Sequence, residues 1–127
     1  MKSIEVGTAY VSTAVVDKLN VARVVGSGDL DVFATPAMVA LMENAAMKAL
    51  KPFLDEGETT VGGEMNCTHT APSPIGATVE AEATVVAVEG RKITYRVEAR
   101  CGGRSIGSGT HVRFVVNVER FLAKLKV

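Results

Sequence analysis

Apolar and polar positions follow two different periods along the chain, and the change between them divides it. Residues 35–50, TPAMVALMENAAMKAL, are dense in Ala, Leu, Met, Glu and Lys, the residues that favour a helix interior. Thr35 is of the type that caps a helix, its hydroxyl accepting from a free backbone N–H, and Pro36 suits the first helical position, where a missing N–H costs nothing. Pro52 and Gly57 close the segment. Its only charged residues are Glu43 and Lys48. A helix without a wide polar face is expected to be wrapped by the rest of the protein.

From residue 61 onward the period is two, and strands are expected over 61–71, 77–89, 92–101 and 104–118. In the third of these, Ile93, Tyr95, Val97 and Ala99 alternate with Lys92, Thr94, Arg96, Glu98 and Arg100, the pattern of an antiparallel strand with one buried face. Glu89-Gly90 and Gly102-Gly103 supply tight turns. Ahead of the helix, 4–16 reads as a first strand. Residues 17–31 read as a loop long enough to suggest a functional or mobile segment. The end of the chain, VERFLAKLKV, has the look of a short amphipathic tail. The order is that of an α+β domain in which an antiparallel sheet curls around one central helix. Such a thin domain covers one side of its sheet, so a homodimer, or a pair of dimers, is expected.

Composition narrows the function. The 127 residues are enough for one domain, 1–127, with a real core. With 47% hydrophobic and 22% charged residues the chain is not disordered. Fourteen basic and fourteen acidic residues give no net charge, which argues against a nucleic-acid binder. Aromatic residues are too few for base-stacking platforms. There is neither a secretory-type apolar segment nor a run of about 18 apolar residues, so no membrane partner is expected. Two cysteines make no disulfide framework, and a cytoplasmic protein with free thiols is expected.

Several residues could carry chemistry. Glu43 lies mid-helix among Val39, Leu41, Met42, Ala46 and Met47. Either it shares a small exposed stripe with Asn44 and Lys48, or it is a buried carboxylate that needs a partner, the functional reading. Thr35 explains itself as a cap, yet the first helical turn offers free N–H groups beside a hydroxyl. His69 follows Cys67 by two on one strand face, close to Pro72 and Pro74 at a strand end. Cys67, His69, Cys101 and His111 contain two Cys and two His but no CxxC or HxxxH spacing, so no metal is expected. Gly62 and Gly63 read as a bulge or as a backbone N–H left bare for a substrate carbonyl. The GSG at 107–109 lies inside a strand and marks close packing of another backbone. Arg113 shares a face with His111, where it either pairs with a carboxylate or a phosphate or is simply solvated.

Taken together, VFATPAMVALMENAA (32–46), TVGGEMNCTHTAPSPIGATVEAEATV (60–85), EGRKITYRVEA (89–99) and GSGTHVRFVVNVERFLA (107–123) resemble the hotdog-fold acyl-CoA thioesterases of the fluoroacetyl-CoA thioesterase-like group. The resemblance covers about three-quarters of the chain. It implies a hotdog fold, dimers whose sheets join, and active sites near the subunit interface. It also implies catalytic roles for Thr35, Glu43 and His69, and substrate contacts at Gly62 and Arg113. The expected reaction is hydrolysis of a small or short-chain acyl-CoA, without cofactor or metal. The carbonyl oxygen would face the Gly62 N–H, and Glu43 would act as nucleophile or general base. Thr35 would hold the carboxylate or substrate, or itself attack, and His69 would move protons. Arg91, Lys92, Arg96, Arg100 and Arg104 are candidates for the CoA phosphates. A member specialised for the fluorinated acyl group is expected to carry aromatic residues in the pocket-covering loop, and 24–32 has none. A non-catalytic acyl-CoA-binding module and an acyl-CoA hydratase or dehydratase are the alternatives.

Overall fold

The helix-forming segment folds as expected into one α-helix, Thr35–Leu50, followed by a 3-10 turn over Lys51–Phe53. The computed structural model describes residues 1–126. Its elements in chain order are β1 (Ala9–Val15), α1 (Ala22–Val25), α2 (Thr35–Leu50), β2 (Glu58–His69), β3 (Thr78–Glu89), β4 (Lys92–Cys101), β5 (Arg104–Asn117) and α3 (Val118–Ala123). The strands form one antiparallel sheet in the order β1-β3-β4-β5-β2.

The core lies between α2 and one face of the sheet. On α2 the buried residues are Met38, Met42, Ala45, Ala46, Ala49 and Leu50, a single stripe at helical spacing. Opposite them lie Val79, Ala81, Ala83 and Val85 of β3 and Ile93, Tyr95, Val97 and Ala99 of β4, all without solvent exposure. Alanines on both surfaces let helix and sheet approach closely, and the Tyr95 hydroxyl donates to the Ala46 carbonyl at 3.0 Å. On the outer face Arg100 pairs with Glu98 and Glu82, as expected of a solvated sheet surface.

Four details differ from the sequence reading. The first strand begins at Ala9 rather than residue 4, after Gly7 turns the chain at φ 100°. The long loop contains α1 and is tied down by isolated bridges from Val21 to Phe33 and Val32 to Pro74. The helix is capped by Ala34, not Thr35, because Ala34 holds the extended conformation that precedes the first turn. Finally, α2 is not wrapped on all sides. Val39, Leu41 and Met47 stay half-buried and Ala40 exposed, because the sheet curls around one side only.

One irregularity shapes everything that follows. Between Gly62 and Glu64 the pairing of β2 with β5 shifts by one residue, a β-bulge at Gly63. It brings Thr60 and Gly62 before the bulge, and Met65, Cys67 and His69 after it, to the same inner face. Gly107 and Gly109 of β5 lie opposite His69 and Cys67. The backbones are so close there that a methyl group on Gly109 would collide with the Asn66 carbonyl.

Candidate active site

The inner face of β2 and one flank of α2 assemble two groups of functional side chains. The first lies at the start of the helix. Released from any capping role, the Thr35 hydroxyl lies 2.8 Å from Nδ1 of His69. Nε2 of His69 is buried and has no hydrogen-bond partner among the described residues. The two side chains border a cleft of about 250 Å³, also lined by Ala22, Ser27, Val32 and Phe33. Thus the bridged loop before α2 forms one wall of this cleft.

The second group lies two helical turns further on, about 12 Å along the helix axis. Glu43 points from α2 toward Gly62, and a Cβ at Gly62 would come within 2.9 Å of Glu43 Oε2. Gly62 is therefore the space that the carboxylate occupies. Arg113, opposite Gly62 on β5, has Nη1 3.8 Å from Glu43 Oε2. The guanidinium is buried, and its Nε and Nη2 donate to the hydroxyl and carbonyl of Thr60 at 2.8 and 2.9 Å. These two acceptors hold the guanidinium in one orientation.

Of the five site residues expected from the sequence, the structure pairs Thr35 with His69 and gathers Glu43, Gly62 and Arg113. Within one chain it does not bring the two groups together. Glu43 is neither fully buried nor part of a stripe with Asn44. Its side chain is 42% exposed on the open flank of α2, whereas Asn44 turns to β1 and accepts from Ser12 at 2.8 Å. His111 was not read as functional, although it sits beside Arg113. Its Nε2 lies 3.3 Å from Arg113 Nη1, its Nδ1 lies 2.7 Å from the Glu64 carbonyl, and its ring stacks on Tyr95. Two of the five cations proposed for CoA phosphates are engaged within the chain, Arg91 with Glu58 and Arg100 with Glu98. Cys67 and Cys101 are free thiols, and burial pushes that of Cys67 up. Among the described residues no three His, Cys, Asp or Glu side chains converge as a metal site, and no helix is long and apolar enough to cross a membrane.

A five-stranded antiparallel sheet curled on one long helix is the architecture of the hotdog thioesterase superfamily. A thioesterase superfamily member from Thermus thermophilus is 32% identical and superposes with a TM-score of 0.90, covering 97% of this chain and 91% of its own. The model of the fluoroacetyl-CoA-specific thioesterases matches residues 16–119. The fluoroacetyl-CoA thioesterase of Streptantibioticus cattleyicolor is 47% identical over 96 residues, which are 76% of this chain and 69% of that protein. A crystal structure of a fluoroacetyl-CoA-specific thioesterase mutant with fluoroacetate and CoA has 39% identity and a TM-score of 0.87, covering 93% of this chain and 99% of the other. This chain belongs to the fluoroacetyl-CoA-specific thioesterase family.

Proposed function

We propose that the protein hydrolyses a small acyl-CoA thioester to the free acid and CoA, with Thr35, Glu43 and His69 as catalytic residues. The observation that carries this reading is the Thr35–His69 hydrogen bond at the cleft, in a chain of this family. The Gly62 N–H stabilises the negative charge that develops on the thioester oxygen, and Arg113, with Nη1 3.8 Å from Oε2, holds the Glu43 carboxylate in place. Two routes use the same groups. In one, Glu43 attacks the thioester carbon and the C–S bond breaks, leaving a mixed anhydride that water then cleaves. In the other, Glu43 takes a proton from water, which attacks directly. In both, His69, oriented by Thr35, gives a proton to the departing thiolate and regains one from the attacking water, directly or through Glu43. A single turnover in ¹⁸O-water separates them when water opens the anhydride at its Glu43 carbonyl, which puts the label in Glu43 and Glu43's own oxygen in the acid. Free thiols at Cys67 and Cys101 fit a cytoplasmic setting.

A homodimer supplies what one chain lacks. In the sheet, β2 is an edge strand, and a second β2 can pair with it antiparallel. A two-fold axis at Asn66, with each Gly63–Glu64 bulge opposite Thr68, sets Gly62 across from the partner's His69 on the same face. The carboxylate group of one protomer would then meet the Thr–His pair of the other, and the open flank of α2 would be covered. Complementation tests both halves of this reading. Glu43→Gln and His69→Ala homodimers should each lose at least about a hundredfold in kcat, the low end for acid–base catalysis. Mixed dimers of the two variants should regain one intact site. Wild-type turnover of Glu43→Gln across a panel of small acyl-CoAs, read by thiol release, would falsify the catalytic assignment.

A further inference from the structure

His111 takes no part in the reaction just proposed, yet it is only 1% exposed and uses both ring nitrogens. The Glu64 carbonyl, 2.7 Å from Nδ1, can only accept, so Nδ1 carries a proton. The Arg113 guanidinium, with Nη1 3.3 Å from Nε2, can only donate, so Nε2 carries none. The two neighbours together admit one form of the ring, the neutral Nδ1–H tautomer. The same Nη1 lies 3.8 Å from Glu43 Oε2.

We infer that His111 is a positioning residue, which holds Arg113 from behind so that the guanidinium keeps a fixed orientation beside the Glu43 carboxylate. The inference rests on the proposed role of Glu43. The carbonyl of Glu64 belongs to the bulge, so the irregularity that makes room for Glu43 at Gly62 also sets the tautomer of His111. The charged and titratable groups around the ring are Arg113 on β5, Tyr95 on β4 and Glu43 on α2. Burial, reinforced by Arg113, disfavours the imidazolium. Protonation would remove the acceptor and set a second cation against Arg113 Nη1, leaving the guanidinium held by Thr60 alone and loosening Nη1 beside Glu43.

The chain has only two histidines, so long-range ¹H–¹⁵N spectra of the homodimer read the ring directly, with His69→Ala supplying the assignment. The His111 ring should remain neutral with the proton on Nδ1 at a pH where an ordinary histidine is half protonated, about 6.5. An Nε2–H tautomer, or titration at the ordinary value, overturns the inference. His111→Leu should lower kcat by about tenfold to a hundredfold, the cost of a misplaced catalytic group, with little change in KM. His111→Gln, which can donate to Glu64 and accept from Arg113, should restore most of kcat. Undiminished kcat in His111→Leu, while Glu43→Gln is inactive, overturns the positioning role alone. An active Glu43→Gln overturns the reading on which it rests.

Discussion

At the scale of single residues, Gly62 and Gly109 show how differently two glycines in strands can be used. A methyl group on Gly62 meets the far end of the Glu43 side chain at 2.9 Å, and that end can swing aside. Gly62→Ala should therefore fold with a melting temperature close to wild type while kcat falls by about tenfold or more, the effect of displacing a catalytic group. A methyl group on Gly109 meets the Asn66 carbonyl and the Cys67 backbone, with Cys67 Cα at 2.6 Å. Neither can move without parting β2 from β5. Gly109→Ala should lose about 3 kcal/mol, the upper range for overpacking, read as a shift of the urea midpoint. Thr35 offers a third contrast. Were it the cap, Thr35→Ala would cost about 1 kcal/mol. Since its hydroxyl faces His69 instead, stability should hold in that variant and turnover should fall, with Thr35→Ser retaining more activity than Thr35→Ala.

At the scale of elements, the hydroxyl of Tyr95 is a buried polar tie between the sheet and the middle of α2, beside those of Ser12 with Asn44 and Arg113 with Glu43. Tyr95→Phe should cost about 1 kcal/mol in denaturant unfolding, the typical net value of one hydrogen bond. The helix itself was legible to the residue, 35–50, because composition, Pro36 and the closing Pro52 agree. The four later strands were legible from their alternation and glycine turns. Thr35, Glu43, Gly62, His69 and Arg113 could be named singly, but their grouping could not. Which side of α2 Glu43 takes depends on Asn44 turning to Ser12 of β1, a contact between segments far apart in sequence. The common face of Gly62 and His69 depends on a one-residue bulge, which the Gly62-Gly63 pair permits but does not specify. For His111 the signal was its two-residue spacing from Arg113. Its work became visible only once Tyr95 and the Glu64 carbonyl closed around it.

At the scale of the whole molecule, the buried neutral imidazole links stability to pH. Folding depresses the affinity of His111 for a proton below its unfolded value. In the acid range the unfolded chain therefore binds more protons than the folded one, and protonation favours unfolding. Its contribution should be complete above about pH 6.5, the ordinary histidine value, and be lost progressively as the pH falls below it. Urea unfolding of wild type from pH 8 to 5 should show this decline, and His111→Gln should flatten it.

The strand order has a consequence for how the protein is made. Chains are synthesised from the N-terminus, and β2 pairs only with β5, the last strand. When α2 and β2 leave the ribosome, Arg113 and His111 have yet to be translated, so Glu43 emerges with neither Arg113 beside it nor His111 behind that. The nascent chain then presents an apolar helix and a strand with both edges unpaired, the kind of surface that chaperones bind. Folding must wait until β5 is outside the exit tunnel, and termination anywhere before β5 yields a fragment unable to assemble its carboxylate site. Nascent chains arrested with β5 still in the tunnel should be digested readily by protease, and those with β5 exposed should resist it.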